Sequence, residues 1–580
     1  MNIHKLIALL LALAFAPSFA LSLPDVDLIS IGRSIYRDGV LPNGQKLVGM
    51  RANSETVTGS AAACSNCHRN SGLGSVEGQV AVPPITGRAL FGGADNAVIV
   101  RQDRRFNPGL STPHSYTEES FAQALRAGNG AQGRELDKIM PRFDLSDEQV
   151  KGLSAYIKTL SVDRSPGAFD DEIHVATVIT EGVDPQRKRA LLSTMNTLLA
   201  QINGNTASSV RQKMSAIDHK MHNHRRVILK VWELQGASST WKAQLDERNA
   251  VSPVFAVVSG LTDSTWQPVQ DFCETTSVVC WFPSINLIPS GAEHSKFSLY
   301  FNAGMATEAK VVASRLQKNT NTVQIVGKDA LARTAAAELS VAYPSVKTVD
   351  IEKFDASKLS GLMEKDNLVA WLNPQELAAL DAIKSTKATL YLSSSLDGDM
   401  PAIAEPLKDH TFIVQPLEMG MVRDANLQRF DNWLSGSKVS LVDRRMQSEA
   451  YFAVRSLVAT MRGLLNNLHT EYLIERAEGT LSMQEAMQVQ DEIQSLMMAP
   501  VSKRPPKNAA STDAELAAIE EITAIQKLHL EAMRKRGGTT VYPRLSLAPG
   551  QRFASKGAYI TPLGKLSAQT SIRDADWVVP

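Results

Sequence analysis

The stretch "AAACSNCHRN" (residues 61–70) sets Cys64, Cys67 and His68 in the spacing C-x-x-C-H. Cysteines this close serve covalent haem attachment, a redox dithiol or half of a zinc site. The compartment helps to separate these chemistries, and it is read from the N-terminus, "MNIHKLIALLLALAFAPSFALSLP" (residues 1–24). One lysine precedes an apolar run from Leu6 to Phe15, and Ser18 and Ala20 frame a cleavage point after Ala20. That is the layout of a secretory signal, and the run is short for a bilayer span. No cysteine follows the cleavage point to take a lipid anchor, and no later segment is apolar for long enough to cross a membrane. The expectation is a signal peptide over residues 1–20 and a soluble mature chain in the periplasm.

In an exported chain, C-x-x-C-H reads as haem attachment. The two thiols add to the haem vinyl groups as thioethers, and His68 is held beneath the ring to ligate iron. A zinc site calls for a second cysteine or histidine pair, which this part of the sequence lacks. A redox dithiol calls for a βαβ setting, which the glycine-rich flanks do not provide. For the sixth iron ligand the candidates are Met50, Met140 and His114. Met140 lies in "KIMPRFDLSDEQVKGLSAYIKTL" (residues 138–160), where Pro141 biases it away from helix and onto a loop. Ser146 and Gln149 then form a capping box, and Val150, Leu153, Ile157 and Leu160 mark one apolar helix face. Met140 is the preferred ligand; the plainer alternative is a methionine filling a gap in the core.

With these residues in place, the sequence resembles a class I cytochrome c over about residues 25–161. Gly32 and Tyr36 in "GRSIY" resemble the family's small-to-aromatic contact with its last helix, which here offers Tyr156. The resemblance implies a small all-α domain, one covalently attached haem c and single-electron transfer, with Cys64 and Cys67 as attachment sites and His68 and Met140 on the iron. Two features depart from the family. Residues 37–63 form a long connection, expected to cover one haem edge, and no tryptophan is present to bond a propionate. Arg88, Arg101, Arg104, Arg105 and Arg142 are candidates for that role or are simply solvated.

Of 580 residues, 61 are Lys or Arg and 60 are Asp or Glu, so the net charge of +1 provides no footprint for nucleic acid or an acidic membrane. The length suggests two to four domains. A break falls at "SVDRSPGAFDDE" (residues 161–172), and all 7 tryptophans follow it. Domains are expected at residues 21–167 and 168–580.

Beyond the break, "IHVATVIT" (173–180), "RRVILKVWEL" (225–234), "PVFAVVSGL" (253–261), "FSLYFNA" (297–303), "NTVQIVGK" (321–328), "NLVAWLNP" (367–374), "KATLYLSSS" (387–395) and "TFIVQP" (411–416) read as strands. Helical stretches lie between most of them, the first expected over residues 185–204. This alternation predicts parallel sheets covered on both faces. Its order, with residues 254–289, 297–316 and 543–563, resembles the type I periplasmic solute-binding proteins of the branched-chain amino-acid receptor group. That resemblance implies a two-lobed α/β domain with a hinge and a ligand cleft, where Ser259, Thr262, Ser284 and Asn286 are candidate cleft residues or ordinary turn residues. The family's amino-acid-binding turns are replaced by "TEGVDPQR" (180–187) and Ser284-Ile285-Asn286, so ligand identity does not carry over.

Cys273 and Cys280 make a candidate disulfide in an oxidising compartment; a buried pair of thiols is the alternative. Tyr451, Val454, Val458, Met461, Leu465, Leu468 and Tyr472 keep a 3,4 spacing, read as one long helix packing on its own lobe. No Ser-His-Asp arrangement, paired acid motif or phosphate loop is visible. The chain therefore reads as a periplasmic electron carrier, not an enzyme, with a solute-binding-like module that recognises a small molecule or a redox partner such as a dehydrogenase. The alternative is an ABC-transport or sensing receptor with an accessory haem domain.

Overall fold

The computed structural model describes residues 25–51, 53–77, 80–92, 115–133, 135–211, 225–317, 320–359, 362–383, 387–398, 401–481, 540–543, 545–565 and 576–580. The expected signal segment, His114, Arg101, Arg104 and Arg105 lie outside the described residues. The chain forms two compact units, Met1–Asp163 and Arg164–Pro580. Residues just after the break belong with the second unit. The Ser165 amide donates to the Leu468 carbonyl at 2.9 Å. Gly167, at φ +82, lies so close to the main chain of Val254 and Phe255 that a Cβ would stand 2.3 Å from the Phe255 nitrogen.

In the first unit, α1 (Asp25–Arg33) runs on through a π-turn (Ser34–Asp38) that ends at left-handed Gly39. The hairpin strands β1 (Val48–Met50) and β2 (Thr56–Thr58) follow, then the one-turn helix α2 (Ser65–His68). Next come the short pair β3 (Ser75–Glu77) and β4 (Val80–Val82), α3 (Gly87–Phe91), α4 (Glu118–Ala127), β5 (Arg142–Phe143) and α5 (Asp147–Thr159). The Ser146–Gln149 capping box is made in both directions, at 3.3 and 2.9 Å, so α5 starts where the sequence places it. Ile35, Tyr36, Phe121, Leu125, Leu153 and Ile157 form its core. The long connection folds as antiparallel β1–β2, to which β5 adds on the far side of β1. Both hairpin strands bury only their central residue, Gly49 or Val57, which is the period-2 pattern of a surface hairpin over a helical core.

The second unit contains two sheets. The first comprises β6 (Glu172–Ile179), β7 (Arg226–Glu233), β8 (Ala256–Val258), β9 (Val279–Trp281) and β10 (Ser298–Leu299), all parallel, in the order β10-β9-β8-β6-β7. Around it lie α6 (Pro185–Arg211), α7 (Trp241–Val251) and α8 (Gln267–Thr276). α6 passes through Gly204 to Arg211; a glycine inside an exposed helix costs only about 1 kcal/mol and does not end it. The chain then crosses through α9 (Met305–Arg315) to β11 (Thr322–Val326), α10 (Ala330–Ala342), β12 (Lys347–Asp350), β13 (Asn367–Trp371), β14 (Thr389–Ser393), α11 (Ser394–Asp397) and β15 (Thr411–Gln415). These strands are parallel, and β16 (Ala558–Pro562) and β17 (Asp576–Val578) extend the sheet antiparallel beyond β15. In chain order each parallel set has the arrangement 2-1-3-4-5, whose ligand-binding crevice lies at the carboxyl ends of the strands.

α12 (Gly420–Gly436) and α13 (Arg444–Arg462) return to the first sheet, where α13 packs on α6. The expected continuous helix over 451–472 is broken. Helix resumes at residues 470–481 after a turn in which Leu465 has φ +55. The Leu465 carbonyl accepts from the Arg225 guanidinium at 2.8 Å, an interaction a continuous helix would preclude. Tyr451, Val454, Val458, Met461, Leu468 and Tyr472 are buried within their own unit.

Candidate functional site

The C-x-x-C-H segment is a tight helical turn. The Cys67 and His68 amides donate to the Cys64 carbonyl at 3.3 and 2.9 Å. Ser75 Oγ donates to the Cys67 carbonyl at 3.0 Å, and the Gly74 amide to the His68 carbonyl at 3.1 Å. Arg69 is left-handed, with φ +65, and its carbonyl accepts from Tyr36 Oη at 2.8 Å, tying the motif to the α1 side of the core. His68 Nδ1 lies 3.0 Å from the Pro83 carbonyl. A carbonyl only accepts, so Nδ1 carries the proton and the lone pair resides on Nε2, the tautomer suited to metal ligation.

Burial pushes the His68 imidazole down to about 4, which keeps it neutral at ordinary pH. Burial also pushes the Cys64 thiol up to about 12, opposite to the depressed value of a reactive redox thiol. Neither Cys64 nor Cys67 is in a disulfide. Two thiols and an oriented imidazole on one turn fit covalent haem, and the bound group would supply one-electron chemistry at iron.

Met140 sits half-buried in the turn before Pro141 and β5, against the core of the first unit. Its amide donates to the Asp137 carbonyl at 3.2 Å. Arg142 holds the segment from the other side, donating to the carbonyls of Met140 at 2.5 Å and Leu136 at 3.1 Å. These bonds use one N–H on each terminal nitrogen. Met50, opposite Arg142 in the β1–β5 pair, is 56% exposed. Arg88 is also exposed.

At the carboxyl ends of the first sheet of the second unit, Ser259 and Phe282 follow β8 and β9 with φ +55 and +48. Such non-glycine conformations cost on the order of 1–3 kcal/mol each and cluster where binding sites are built. Ser284 Oγ donates to Glu449 Oε2. Glu449 Oε1 accepts from Arg445 Nε and from Tyr542 Oη, both at 2.9 Å. Tyr542 stacks on Phe301 with ring centroids 5.0 Å apart.

On the second sheet, buried Glu308 in the first turn of α9 accepts from Ser395 Oγ, and buried Asp397 lies close enough for the two acids to interact. Burial pushes Glu308 up to about 7, opposed by the Ser393 and Ser395 hydroxyls and by Arg445. Burial, then the Glu308 charge, pushes Asp397 up to about 8.

Of the four sequence candidates, Ser284 joins this polar network. Ser259 is buried with its hydroxyl unpartnered among the described residues, Thr262 accepts from Thr180 Oγ1 at 2.9 Å, and Asn286 is exposed. Arg445, Glu449, Tyr542, Glu308 and Asp397 escaped the sequence reading. The available signal was a charged i, i+4 pair, Arg445 and Glu449, inside the apolar face of a helix. Cys273 on α8 is joined to Cys280 on β9 by a disulfide.

One unit thus presents a C-x-x-C-H turn anchored to a helix crossing, and the other is an α/β unit of two parallel-cored sheets. Residues 44–161 match the family model of cytochrome c, so the chain carries a cytochrome c domain, which implies covalent haem c. Solved structures similar to the chain include an ABC transporter substrate-binding protein from Aeropyrum pernix, at 12% identity and TM-score 0.40, covering 70% of this chain and 95% of that one. Another is a substrate-binding protein from Desulfitobacterium hafniense in complex with Leu, at 12% identity and TM-score 0.36, covering 53% and 89%. A third is a fatty acid ABC transporter substrate-binding protein from Thermomonospora curvata, at 16% identity and TM-score 0.33, covering 55% and 83%. No curated relative matches the chain. No helix among the described residues is long and apolar enough to cross a membrane.

Proposed function

We propose that this chain is an exported monohaem c-type cytochrome that carries single electrons in the periplasm, with the second unit serving to recognise a small molecule or a redox partner. Cys64 and Cys67 bind the haem, and His68 and Met140 ligate its iron. The observation that carries the reading is the His68 Nδ1–Pro83 contact of 3.0 Å, which leaves Nε2 to the metal within a C-x-x-C-H turn. With His68 and Met140 both holding the iron, the bound haem would supply single-electron transfer rather than oxygen or peroxide chemistry. The sequence divides the mature chain into residues 21–167 and 168–580; the packing of Ser165 and Gly167 moves the boundary to residue 163, so the cytochrome domain is assigned to residues 21–163 after cleavage of residues 1–20 and the solute-binding-like domain to residues 164–580. The two 2-1-3-4-5 sheets support the latter, since such sheets place their binding crevice at the strand carboxyl ends. A periplasmic dehydrogenase is a fitting electron donor.

The test is electron transfer between the purified haem protein and candidate periplasmic dehydrogenases by stopped flow, with and without residues 164–580. Rapid haem reduction that requires the second unit supports docking. A small molecule that binds the second unit without altering haem reduction or potential favours the transport or sensing receptor instead.

A further inference from the structure

The loop that presents Met140 is held by one side chain. Arg142 donates from Nη1 to the Met140 carbonyl at 2.5 Å and from Nη2 to the Leu136 carbonyl at 3.1 Å, so a single guanidinium bridges the two ends of the segment 136–140. The arginine is fixed at both of its own ends. Its main chain is in β5, paired with Met50 of β1. Its guanidinium lies against Gly128, the left-handed residue (φ +76) that ends α4. A Cβ at Gly128 would stand 2.0 Å from Arg142 Nε and 2.3 Å from Cζ, so the glycine is what admits the planar group. The same glycine accepts the Leu136 amide at 2.8 Å on its carbonyl. Strand pairing, a glycine slot and two carbonyl bonds thus converge on the residues flanking the methionine.

We propose that Arg142 is a positioning residue for the axial methionine: it sets the loop so that the Met140 thioether is presented to the iron, and Gly128 provides the slot that keeps the guanidinium in place. This rests on the reading of Met140 as sixth ligand. The physical need is clear. A thioether is neutral and weak, so its hold on iron depends on its being delivered in place rather than searching from a mobile loop. Groups that orient a metal ligand are typically worth 10- to 100-fold in its binding. A planar fork can hold two carbonyls at once, whereas a lysine ammonium is a point donor on a flexible stem.

The test uses the full-length, haem-loaded protein and reads the affinity of the ferric haem for added imidazole, which must displace the methionine. The near-infrared methionine–iron band and the reduction potential are followed alongside. In Arg142→Gln, imidazole should bind at least about tenfold more tightly, equivalent to 1.4 kcal/mol of lost methionine ligation, with a weakened band and a lowered potential. Arg142→Lys should recover part of this. Gly128→Ala, which leaves the arginine present but displaces it, should shift all three readouts in the same direction as Arg142→Gln. Lys138→Gln, an exposed charge on the same loop, should change none of them. If Arg142→Gln and Gly128→Ala both keep wild-type imidazole affinity while Met140→Leu loses the band, the positioning role is overturned and the ligand assignment stands. If the band survives Met140→Leu, the ligand assignment itself is overturned.

Discussion

Gly32 and Gly152 meet main chain to main chain: a Cβ on Gly32 would lie 2.0 Å from the Gly152 carbonyl oxygen. That approach lets α1 and α5 cross closely enough for the rings of Tyr36 and Tyr156 to lie 5.4 Å apart. Arg37 Nε donates to Tyr156 Oη at 2.5 Å, and Tyr36 Oη reaches the Arg69 carbonyl beside His68. The crossing therefore supports the haem turn directly. Overpacking a tight core typically costs about 1–3 kcal/mol, and an approach this close to a carbonyl belongs at the upper end. Gly32→Val is expected to destabilise the first unit by about 3 kcal/mol and to lower haem loading, as measured by denaturant unfolding followed in the haem absorbance. An unshifted midpoint would show that the helices separate without cost.

The Cys273–Cys280 disulfide closes a short loop, with a sequence separation of 7, between α8 and β9. A loop of that size implies about 2–3 kcal/mol from chain entropy. Reduction, or Cys273→Ser with Cys280→Ser, should lower the melting temperature of the second unit and leave the haem spectrum unchanged. Thiol labelling of the denatured, unreduced chain should leave this pair unmodified. Labelling of both residues without reductant would rule the bond out.

The second unit should lose stability as the pH rises. Glu308 and Asp397 move from ordinary values of 4.5 and 3.8 to about 7 and about 8 in the folded protein, chiefly through burial, so the folded unit holds protons that the unfolded chain has released. Across the window from about pH 4.5 to about pH 8 the folded state binds more protons. Unfolding free energy therefore falls with increasing pH there and levels off above it. The Glu376 charge reinforces the effect on Asp397, and Arg445 opposes it on Glu308. Because the two acids interact, the transition belongs to the pair. Melting temperatures measured across this window should decline, and Glu308→Gln with Asp397→Asn should flatten the decline. An unchanged slope in the double variant would place the titration elsewhere.

Local chemistry was legible in the sequence wherever one residue decides it. Pro141 and the Ser146–Gln149 box delimit the Met140 loop and α5 without reference to anything distant. The Val/Ile-rich strands of the second unit read as strands because parallel sheets bury them on both faces. β12 was missed since "KTVD" (residues 347–350) is a polar strand at the sheet edge, with no apolar run to announce it. The break after Arg462 was missed because Leu465 and Leu468 continue the 3,4 apolar rhythm through a turn. The network of Ser284, Arg445, Glu449 and Tyr542 was beyond reach for a different reason: Ser284 and Glu449 are 165 residues apart, and only the folded chain brings them together.

The choice of axial ligand separates Met140 from Met50, whose strand pairs with the segment just after Met140. Met140→Ala should abolish the near-infrared methionine–iron band of the oxidised protein and lower its potential, while Met50→Ala should preserve both. Loss of the band in Met50→Ala alone would move the ligand to the hairpin.

The proposed site holds one covalent haem on Cys64 and Cys67 with His68 on the iron. It is tested most directly by the pyridine haemochrome spectrum and intact mass of the full-length protein, produced in a host with haem-attachment machinery. The expected result is a thioether-type haemochrome at one haem per chain, a mass increased by one haem, and loss of both in Cys64→Ala with Cys67→Ala. A chain that matures without haem and carries stoichiometric zinc would contradict it.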